Sequence, residues 1–227
     1  MSVSSKTSPN LSPNLSWTSA FGRACGVLLD TIVRWLALSR INPNVLTFMG
    51  LVVNTWAAIL FGSANVGTQR HLFFLAGLVI IFSGFFDLVV GQVARATNRV
   101  TRFGAFFDSV VDRYSDASQF LGLLVFYARG DRFFYVVLTA FVMVSAIMVS
   151  YTRARAESLI GSCRVGFMER PERLVLVIIG ALFNRMAPVL WIIAVLSTLT
   201  VIHRMRYTWT RTQDAPTNVT AKAGHAA

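Results

Sequence analysis

Six apolar blocks, separated by short polar segments, constrain this chain more than any other feature. They are residues 45–61, 71–90, 103–127, 133–151, 174–183 and 187–201. A helix needs about 20 largely apolar residues to cross the hydrocarbon core of a bilayer, and most of these blocks approach that length. Because the chain is 55% hydrophobic and 14% charged, the pattern predicts an all-α integral membrane protein with six transmembrane helices. The fifth block is short for a span.

The basic residues are distributed unequally between the two sides that six spans would create. The N-terminal region, the loops after the second and fourth blocks and the C-terminal tail hold most of the arginines, whereas the opposite side holds Arg70, Arg129, Arg132 and Arg185. Arginine and lysine are enriched in short cytoplasmic loops. Both termini are therefore predicted to be cytoplasmic, in a protein of the inner (cell) membrane.

The segments outside the six blocks complete the predicted organisation. The four parts are a disordered tail without a cleavable signal peptide at 1–16, an interfacial amphipathic helix at 17–41, a six-helix transmembrane domain at 42–206 and a C-terminal tail at 207–227. The second part is assigned to the interface because apolar residues recur on one face of it and charged residues interrupt them.

The net charge of +11 is explained by the membrane. Its arginines flank the apolar blocks, and no soluble domain is present to display them to nucleic acid. Contact with anionic lipid headgroups accounts for the excess. Cys25 and Cys163 lack the neighbours of a zinc site, so both are interpreted as ordinary reduced thiols.

Carboxylates, glycines and an arginine recur at intervals of four residues on either side of the polar segment "ATNRVTR". The first set is Asp87, Gly91 and Arg95, and the second is Gly104, Asp108 and Asp112. Residues four apart share one face of a helix. Two antiparallel helices joined at "ATNRVTR" would bring the carboxylates together at the cytoplasmic end of the membrane.

Such a cluster indicates a metal site for a phosphate-containing substrate. Carboxylate oxygens without His or Cys suit hard cations such as Mg²⁺, Mn²⁺ or Ca²⁺. Gly91 and Gly104 leave room for a ligand or a neighbouring helix, and Arg95 provides a planar group that binds phosphate. A single intramembrane Asp could instead pair with Arg99, Arg102 or Arg113, but the whole set favours a metal site.

Asp116 lies one turn beyond Asp112. It continues the acidic stripe, and two interpretations stay open for it. It could bind metal, or it could pair with Arg113, which is close to it on the same helix.

The stretch resembles the signature of the CDP-alcohol phosphotransferase family, D-x-x-D-G-x-x-A-R followed by G-x-x-x-D-x-x-x-D. Eight residues separate the two halves. The matching residues are Asp87, Gly91, Ala94, Arg95, Gly104, Asp108 and Asp112. The similarity extends from "NPNVLT" to "HRMRY" and includes the six-helix layout with its preceding interfacial helix. It implies a homodimer that transfers a phosphatidyl group from CDP-diacylglycerol to a small alcohol and releases CMP.

The resemblance also implies roles for individual residues. Asp87, Asp108 and Asp112 would bind two Mg²⁺ or Mn²⁺ ions, and Asp112 would also be the general base. The nucleotide site would be formed by Gly91, Ala94, Arg95, Gly104, Asn44 and Thr47. Asn44 and Thr47 are equally well explained as residues at the start of a helix.

Position 90 departs from the family pattern, which has a fourth aspartate where this chain has Val90. Four carboxylates balance the four positive charges of two divalent ions, whereas three do not. The resemblance therefore predicts weaker binding of the second metal and reduced activity. Water or substrate phosphate could replace the missing ligand, because hard cations accept water readily.

The loop after the fourth block predicts the acceptor alcohol. Its arginines, with one from the end of the last block, are Arg153, Arg155, Arg170, Arg173 and Arg204. Opposite a metal site they suit an acceptor that carries its own phosphate, although topology alone would place some of them here. "RARAE" and "ERPER" resemble the inositol-phosphate branch of the family, which favours inositol 1-phosphate. The alternatives are an enzyme that uses glycerol 3-phosphate as the acceptor and a non-catalytic protein that binds CDP-lipid. A transporter is disfavoured because no internal repeat is visible.

Overall fold

The computed structural model describes residues 43–96 and 101–213. The predicted tail at 1–16 and interfacial helix at 17–41 lie outside the described residues. All regular secondary structure within the described part is helical. The helices are α1 Pro43–Ser63, α2 Gln69–Ala96, α3 Arg102–Arg129, α4 Phe133–Ile160, α5 Arg170–Leu182 and α6 Met186–Gln213.

Each helix contains one of the predicted apolar blocks, except that α5 ends at Leu182 and leaves Phe183 as its C-cap. The helix α6 continues to Gln213, so the first residues of the predicted C-terminal tail at 207–227 are helical. Apolar composition stops near residue 201, but the helix needs only continuous backbone hydrogen bonding to extend into the polar region. The boundary of the tail stays a prediction.

Four of the six helices have segments long and apolar enough to cross a membrane. These segments are Asn44–Ser63, Gln69–Val89, Phe133–Ile160 and Met186–Gln213. The helix α3 is as long as α2, but its first half carries several charged residues. The helix α5 has 13 residues and is about 20 Å long at 1.5 Å per residue, which is shorter than the hydrocarbon core.

The principal helix contacts close a ring in the order α1, α2, α5, α6, α4, α3 and back to α1. Consecutive helices run in opposite directions along the chain. The starts of α1, α3 and α5 therefore lie at the same end of the bundle as the ends of α2, α4 and α6. All the segments that carry predicted site residues meet at that end.

The opposite half of the bundle holds the apolar core. Phe73 packs edge-on against Phe61 and Phe126, with ring centroids 5.0 and 4.9 Å apart. Leu123, Leu190 and Ile193 are fully buried in the same cluster. Many large apolar side chains point outward instead, as expected for helices whose outer faces meet lipid.

A buried polar network separates the apolar core from the site end. Asn54 on α1 donates through Nδ2 to Ser83 Oγ on α2, at 2.6 Å. Its Oδ1 accepts from Gln119 Nε2 on α3, also at 2.6 Å. Hydrogen bonds between polar side chains hold helices together where water is absent, so the network fixes α1, α2 and α3 just below the carboxylates.

The helices α1 and α3 approach closely at Gly122. A Cβ atom built on Gly122 would lie 2.2 Å from the backbone oxygen of Ala58. No side chain fits between these backbones. Small residues at such contacts allow helices in membranes to pack closely.

We therefore expect Gly122→Ala to lower the thermal midpoint of the purified protein in detergent. The methyl group would force α1 and α3 apart, at a cost of about 1–3 kcal/mol. Gly130→Ala is the matched control, because the nearest atom to its Cβ would be 3.5 Å away and its φ of −86° suits alanine. Equal midpoints for both variants would contradict the close contact.

Candidate functional site

The carboxylates at the site end surround the guanidinium group of Arg170. Its Nη1 lies 3.0 Å from Asp112 Oδ1, its Nη2 lies 3.4 Å from Asp87 Oδ2, and its Nε lies 3.7 Å from Asp116 Oδ1. Asp87 belongs to α2, Asp112 and Asp116 belong to α3, and Arg170 is the first residue of α5. One cation thus links three helices.

Burial lowers the pKa of Arg170, but the negative charges of Asp112, Asp116 and Asp87 raise it by more, so that the net shift is upward. The guanidinium group therefore stays charged. Asp108 is exposed and lies within electrostatic range of both Asp87 and Asp112. Among the residues that the structure describes, no group of three or more Asp, Glu, His or Cys side chains is arranged to hold a metal ion.

Small residues shape the surroundings of these carboxylates. A Cβ atom on Gly50 would lie 3.0 Å from Asp87 Oδ1, and one on Gly104 would lie 3.4 Å from Asn44 Oδ1. Thr101 caps α3 by accepting a hydrogen bond from the backbone of Gly104. The start of α1 and the start of α3 are therefore adjacent.

The structure describes the side chains of some of the remaining predicted nucleotide residues and only the backbone of others. Thr47 is buried on α1, and Gly91 lies on α2 one turn after Asp87. Val90, Ala94 and Arg95 are also in α2, but their side chains lie outside the described part of the chain. Their predicted roles are therefore not tested by the geometry.

A cavity of about 280 Å³ opens directly beside the carboxylates. Its walls come from α3, α4, the start of α5 and α6. Its charged lining residues are Asp112, Arg113, Asp116, Arg153, Glu169, Arg170 and Arg204. Three of the five arginines predicted to bind the acceptor thus share one cavity with the predicted general base, Asp112.

Arg204 is held firmly in the wall of this cavity. It is 1% exposed, and each guanidinium nitrogen has a partner. Nε donates to the backbone oxygen of Val165 at 2.8 Å, Nη1 to that of Val149, and Nη2 to Glu169 Oε1 at 3.0 Å. These contacts dock the loop between α4 and α5 onto α6.

Arg153 shares the same carboxylate oxygen. Its Nη1 lies 2.9 Å from Glu169 Oε1, and its Nε lies 3.0 Å from Glu157 Oε1 one turn along α4. Its side chain is 39% exposed. Nη2 has no hydrogen-bond partner among the described residues, so Arg153 keeps a donor for a ligand.

The other two predicted acceptor residues lie elsewhere. Arg173 is 2% exposed and pairs with Asp116, while its Nε and Nη1 have no hydrogen-bond partner in the described structure. Arg155 is exposed and borders a separate groove between α4 and α6, beside Trp209. Neither residue lines the cavity that contains Arg153.

Sequence reasoning left open a pair between Asp116 and Arg113, and that alternative is wrong. Arg113 donates to the backbone oxygen of Ser109 in its own helix, whereas Asp116 pairs with Arg173 and Arg170. The partners come from α5, which is distant in sequence. Periodicity within one helix carries no information about such a contact.

Three contributors to the site were not predicted. Gly50 and Asn54 lie one turn apart on α1, and a glycine followed by an amide in an otherwise apolar block was the available signal. Glu169 is the N-cap of α5 and forms a capping box with Glu172. The pattern E-R-P-E, with proline near the start and Glu three residues after the cap, is typical of a helix start.

The sequence profile described as CDP-alcohol phosphatidyltransferase matches residues 40–202. The chain belongs to the CDP-alcohol phosphatidyltransferase family. The resemblance based on the aspartate motif is therefore confirmed, and the protein is a transferase of phospholipid synthesis.

Relatives in this family are similar along most of the chain. An archaetidylinositol phosphate synthase of Pyrococcus horikoshii is 36% identical over 179 residues, which cover 78% of this chain and 88% of that protein. A phosphatidylinositol phosphate synthase of Mycobacteroides abscessus is 35% identical over 172 residues, which cover 72% of this chain and 76% of that protein.

Solved structures of the phosphatidylinositol phosphate synthase of Mycobacterium tuberculosis are also similar. A crystal structure with CDP-DAG bound has a TM-score of 0.72 and 32% identity, and the match covers 80% of this chain and 94% of that chain. A complex with manganese and citrate has a TM-score of 0.69, with 80% and 89% covered. Together with the apolar helices, this similarity identifies an integral membrane protein.

The buried pair of Arg173 and Asp116 is expected to stabilise the fold, which distinguishes Arg173 from the arginines that line the cavity. Removal of one member of a buried ion pair costs about 3–5 kcal/mol where the other charge is left unpaired. Without Arg173, Asp116 would keep the longer contact with Arg170 Nε at 3.7 Å, so we expect a large loss at the lower end of that range. We therefore expect Arg173→Met to lower the thermal midpoint in detergent strongly, and the double variant Arg173→Met/Asp116→Asn to recover part of the loss. Arg155→Met is the control, since exposed substitutions change stability by about 0.5 kcal/mol or less. Equal effects of Arg173→Met and Arg155→Met would contradict the buried pair.

Proposed function

We propose that this protein transfers a phosphatidyl group from CDP-diacylglycerol to a hydroxyl of inositol 1-phosphate and releases CMP. The observation that carries the proposal is the cavity in which Arg153 and Arg170 lie beside Asp112. Arginine binds phosphate through a planar set of donors, and Asp112 stands where the hydroxyl of a phosphate-anchored alcohol would arrive. The inositol-phosphate products in the names of the relatives support the same acceptor.

The carboxylates fit a divalent metal ion by their chemistry. Asp87, Asp108 and Asp112 offer only oxygen ligands, which Mg²⁺ and Mn²⁺ prefer. The guanidinium of Arg170 between Asp87 and Asp112 supports the proposal, because it is a cation at this position. Metal binding here requires Arg170 to withdraw, and the manganese complex of the mycobacterial structure supports the choice of metal. When bound, the ions would polarise the diphosphate and neutralise charge on the leaving CMP.

The chain's own residues bind and orient the two substrates. Arg153 and Arg170 hold the phosphate of the acceptor, and Asp112 accepts the proton of the attacking hydroxyl at a carboxylate oxygen. The hydroxyl oxygen forms a new bond to the phosphorus of the phosphatidyl group as the bond from that phosphorus to CMP breaks. The predicted nucleotide site comprises Gly91, Ala94, Arg95, Gly104, Asn44 and Thr47. Arg155 and Arg173 remain predicted acceptor residues, but their positions outside the cavity favour other roles.

The proposed membrane arrangement has six spans and a cytoplasmic site. The ends of α2, α4 and α6 and the starts of α1, α3 and α5 carry most of the arginines of the described chain. Because basic residues favour the cytoplasmic face, we place this end and both termini inside, in the inner membrane. The interfacial helix at 17–41 and the homodimer complete the proposal by analogy with the family.

Val90 remains the departure from the family motif. A carboxylate at this position on α2, three residues after Asp87, would supply the fourth negative charge for two divalent ions. Its absence predicts weaker binding of one ion. We expect Val90→Asp to raise both metal affinity and turnover.

CMP release from CDP-diacylglycerol by the purified protein tests the function. It is measured with Mg²⁺ or Mn²⁺ and with inositol 1-phosphate, inositol, glycerol 3-phosphate or serine as acceptor, for the wild-type protein and Val90→Asp. We expect release only with metal and acceptor, fastest with inositol 1-phosphate, and faster for Val90→Asp. Asp112→Asn should abolish it, because the base is lost.

Each contrary result has a defined meaning. Preference for glycerol 3-phosphate would keep the reaction class and change the acceptor. Binding of CDP-diacylglycerol without CMP release in wild-type and Val90→Asp would identify a non-catalytic CDP-lipid-binding protein. Equal turnover of the two forms would contradict the charge-balance argument.

A further inference from the structure

A carboxylate stands in the wall of a cavity that is proposed to bind an anion. Glu169 Oε1 accepts from Arg153 Nη1 at 2.9 Å and from Arg204 Nη2 at 3.0 Å. Its side chain is 38% exposed, so the carboxylate borders the cavity rather than lying behind it. An acidic group repels an incoming phosphate. A carboxylate at this place must therefore have another role that offsets the repulsion.

The contacts of the two arginines show what depends on Glu169. Arg204 is also fixed by the backbone oxygens of Val165 and Val149. Among the described residues, Arg153 has one other anchor, Glu157 on its own helix. Without Glu169, the guanidinium of Arg153 would keep a single partner one turn along α4 and would turn away from the cavity.

Glu169 has a second, separable role at the start of α5. As N-cap it accepts from the backbone at the third position of the helix, and Glu172 accepts from the backbone of Glu169 at 3.0 Å. This capping box fixes the first turn, which begins with Arg170. The same residue therefore sets the side chain of Arg153 and the helix end that carries Arg170.

We propose that Glu169 is a positioning residue for the acceptor, which holds Arg153 with its free Nη2 directed to the phosphate of the bound alcohol. The proposal rests on the proposed function. Glu169 acts through Arg153 and does not touch the reacting atoms. Its effect is therefore on acceptor binding, whereas binding of CDP-diacylglycerol depends on α1, α2 and α3.

Three variants separate positioning from capping. Glu169→Asp keeps a good N-cap, but its shorter side chain withdraws from Arg153. Glu169→Gln keeps the length and loses the charge. Glu172→Ala removes one half of the capping box and leaves both arginine contacts in place, and it is the matched control.

Steady-state kinetics with inositol 1-phosphate and CDP-diacylglycerol, together with thermal midpoints, provide the test. Loss of one charge-assisted hydrogen bond predicts a rise of roughly tenfold in the KM for inositol 1-phosphate in both Glu169 variants. The KM for CDP-diacylglycerol should stay at the wild-type value. Glu172→Ala should lower the thermal midpoint, leave the KM for CDP-diacylglycerol unchanged and raise the KM for inositol 1-phosphate much less than the Glu169 variants do, because both contacts of Glu169 with the arginines remain.

An unchanged KM for inositol 1-phosphate in the Glu169 variants would overturn the proposal. An equal rise of that KM in Glu172→Ala would also overturn it, because Glu169 would then act only as a helix cap. Absence of CMP release by the wild-type protein would count against the proposed function instead. In that case, calorimetric titration of the same variants with inositol 1-phosphate decides the matter. Weaker binding in Glu169→Asp and Glu169→Gln supports the positioning role, and unchanged binding refutes it.

Discussion

The site end of the bundle depends on the ion pairs that the guanidinium group of Arg170 forms with Asp87 and Asp112. Three carboxylates at the mouth of a helical membrane protein repel one another, and a nearby cation offsets that repulsion. Arg170 comes from α5, whereas the aspartates come from α2 and α3. The same contact therefore provides charge balance and joins α5 to the two helices that carry the family motif.

The bundle around this contact has two halves that are held together by different kinds of interaction. At one end, apolar packing around Phe73 and Leu123 holds the six helices in a ring. At the other end, ion pairs and hydrogen bonds replace apolar packing, and the hydrogen bonds of Asn54 mark the boundary. A rigid apolar half allows the polar half to hold repelling charges at fixed positions, as a site for charged substrates requires.

The sequence predicted the parts of this protein that depend on local pattern. Six helices follow from six apolar blocks, and the four-residue spacing around Asp87 and Asp112 placed the carboxylates at one end of two helices. Contacts between distant segments were not predictable in the same way. No periodicity indicates that Arg170 reaches Asp87 or that Arg173 is buried against Asp116, because these contacts depend on how α5 packs. Of the five arginines predicted to bind the acceptor, three line the cavity and two do not.

A structure determined with Mn²⁺ bound tests the central claim most directly. Anomalous scattering locates the ion, and the same map shows the side chain of Arg170. The account predicts manganese bound by Asp87, Asp108 and Asp112, with the guanidinium of Arg170 withdrawn from Asp87 and Asp112 towards the cavity that contains Arg153. Manganese bound elsewhere, or Arg170 still between Asp87 and Asp112 at saturating Mn²⁺, would contradict it.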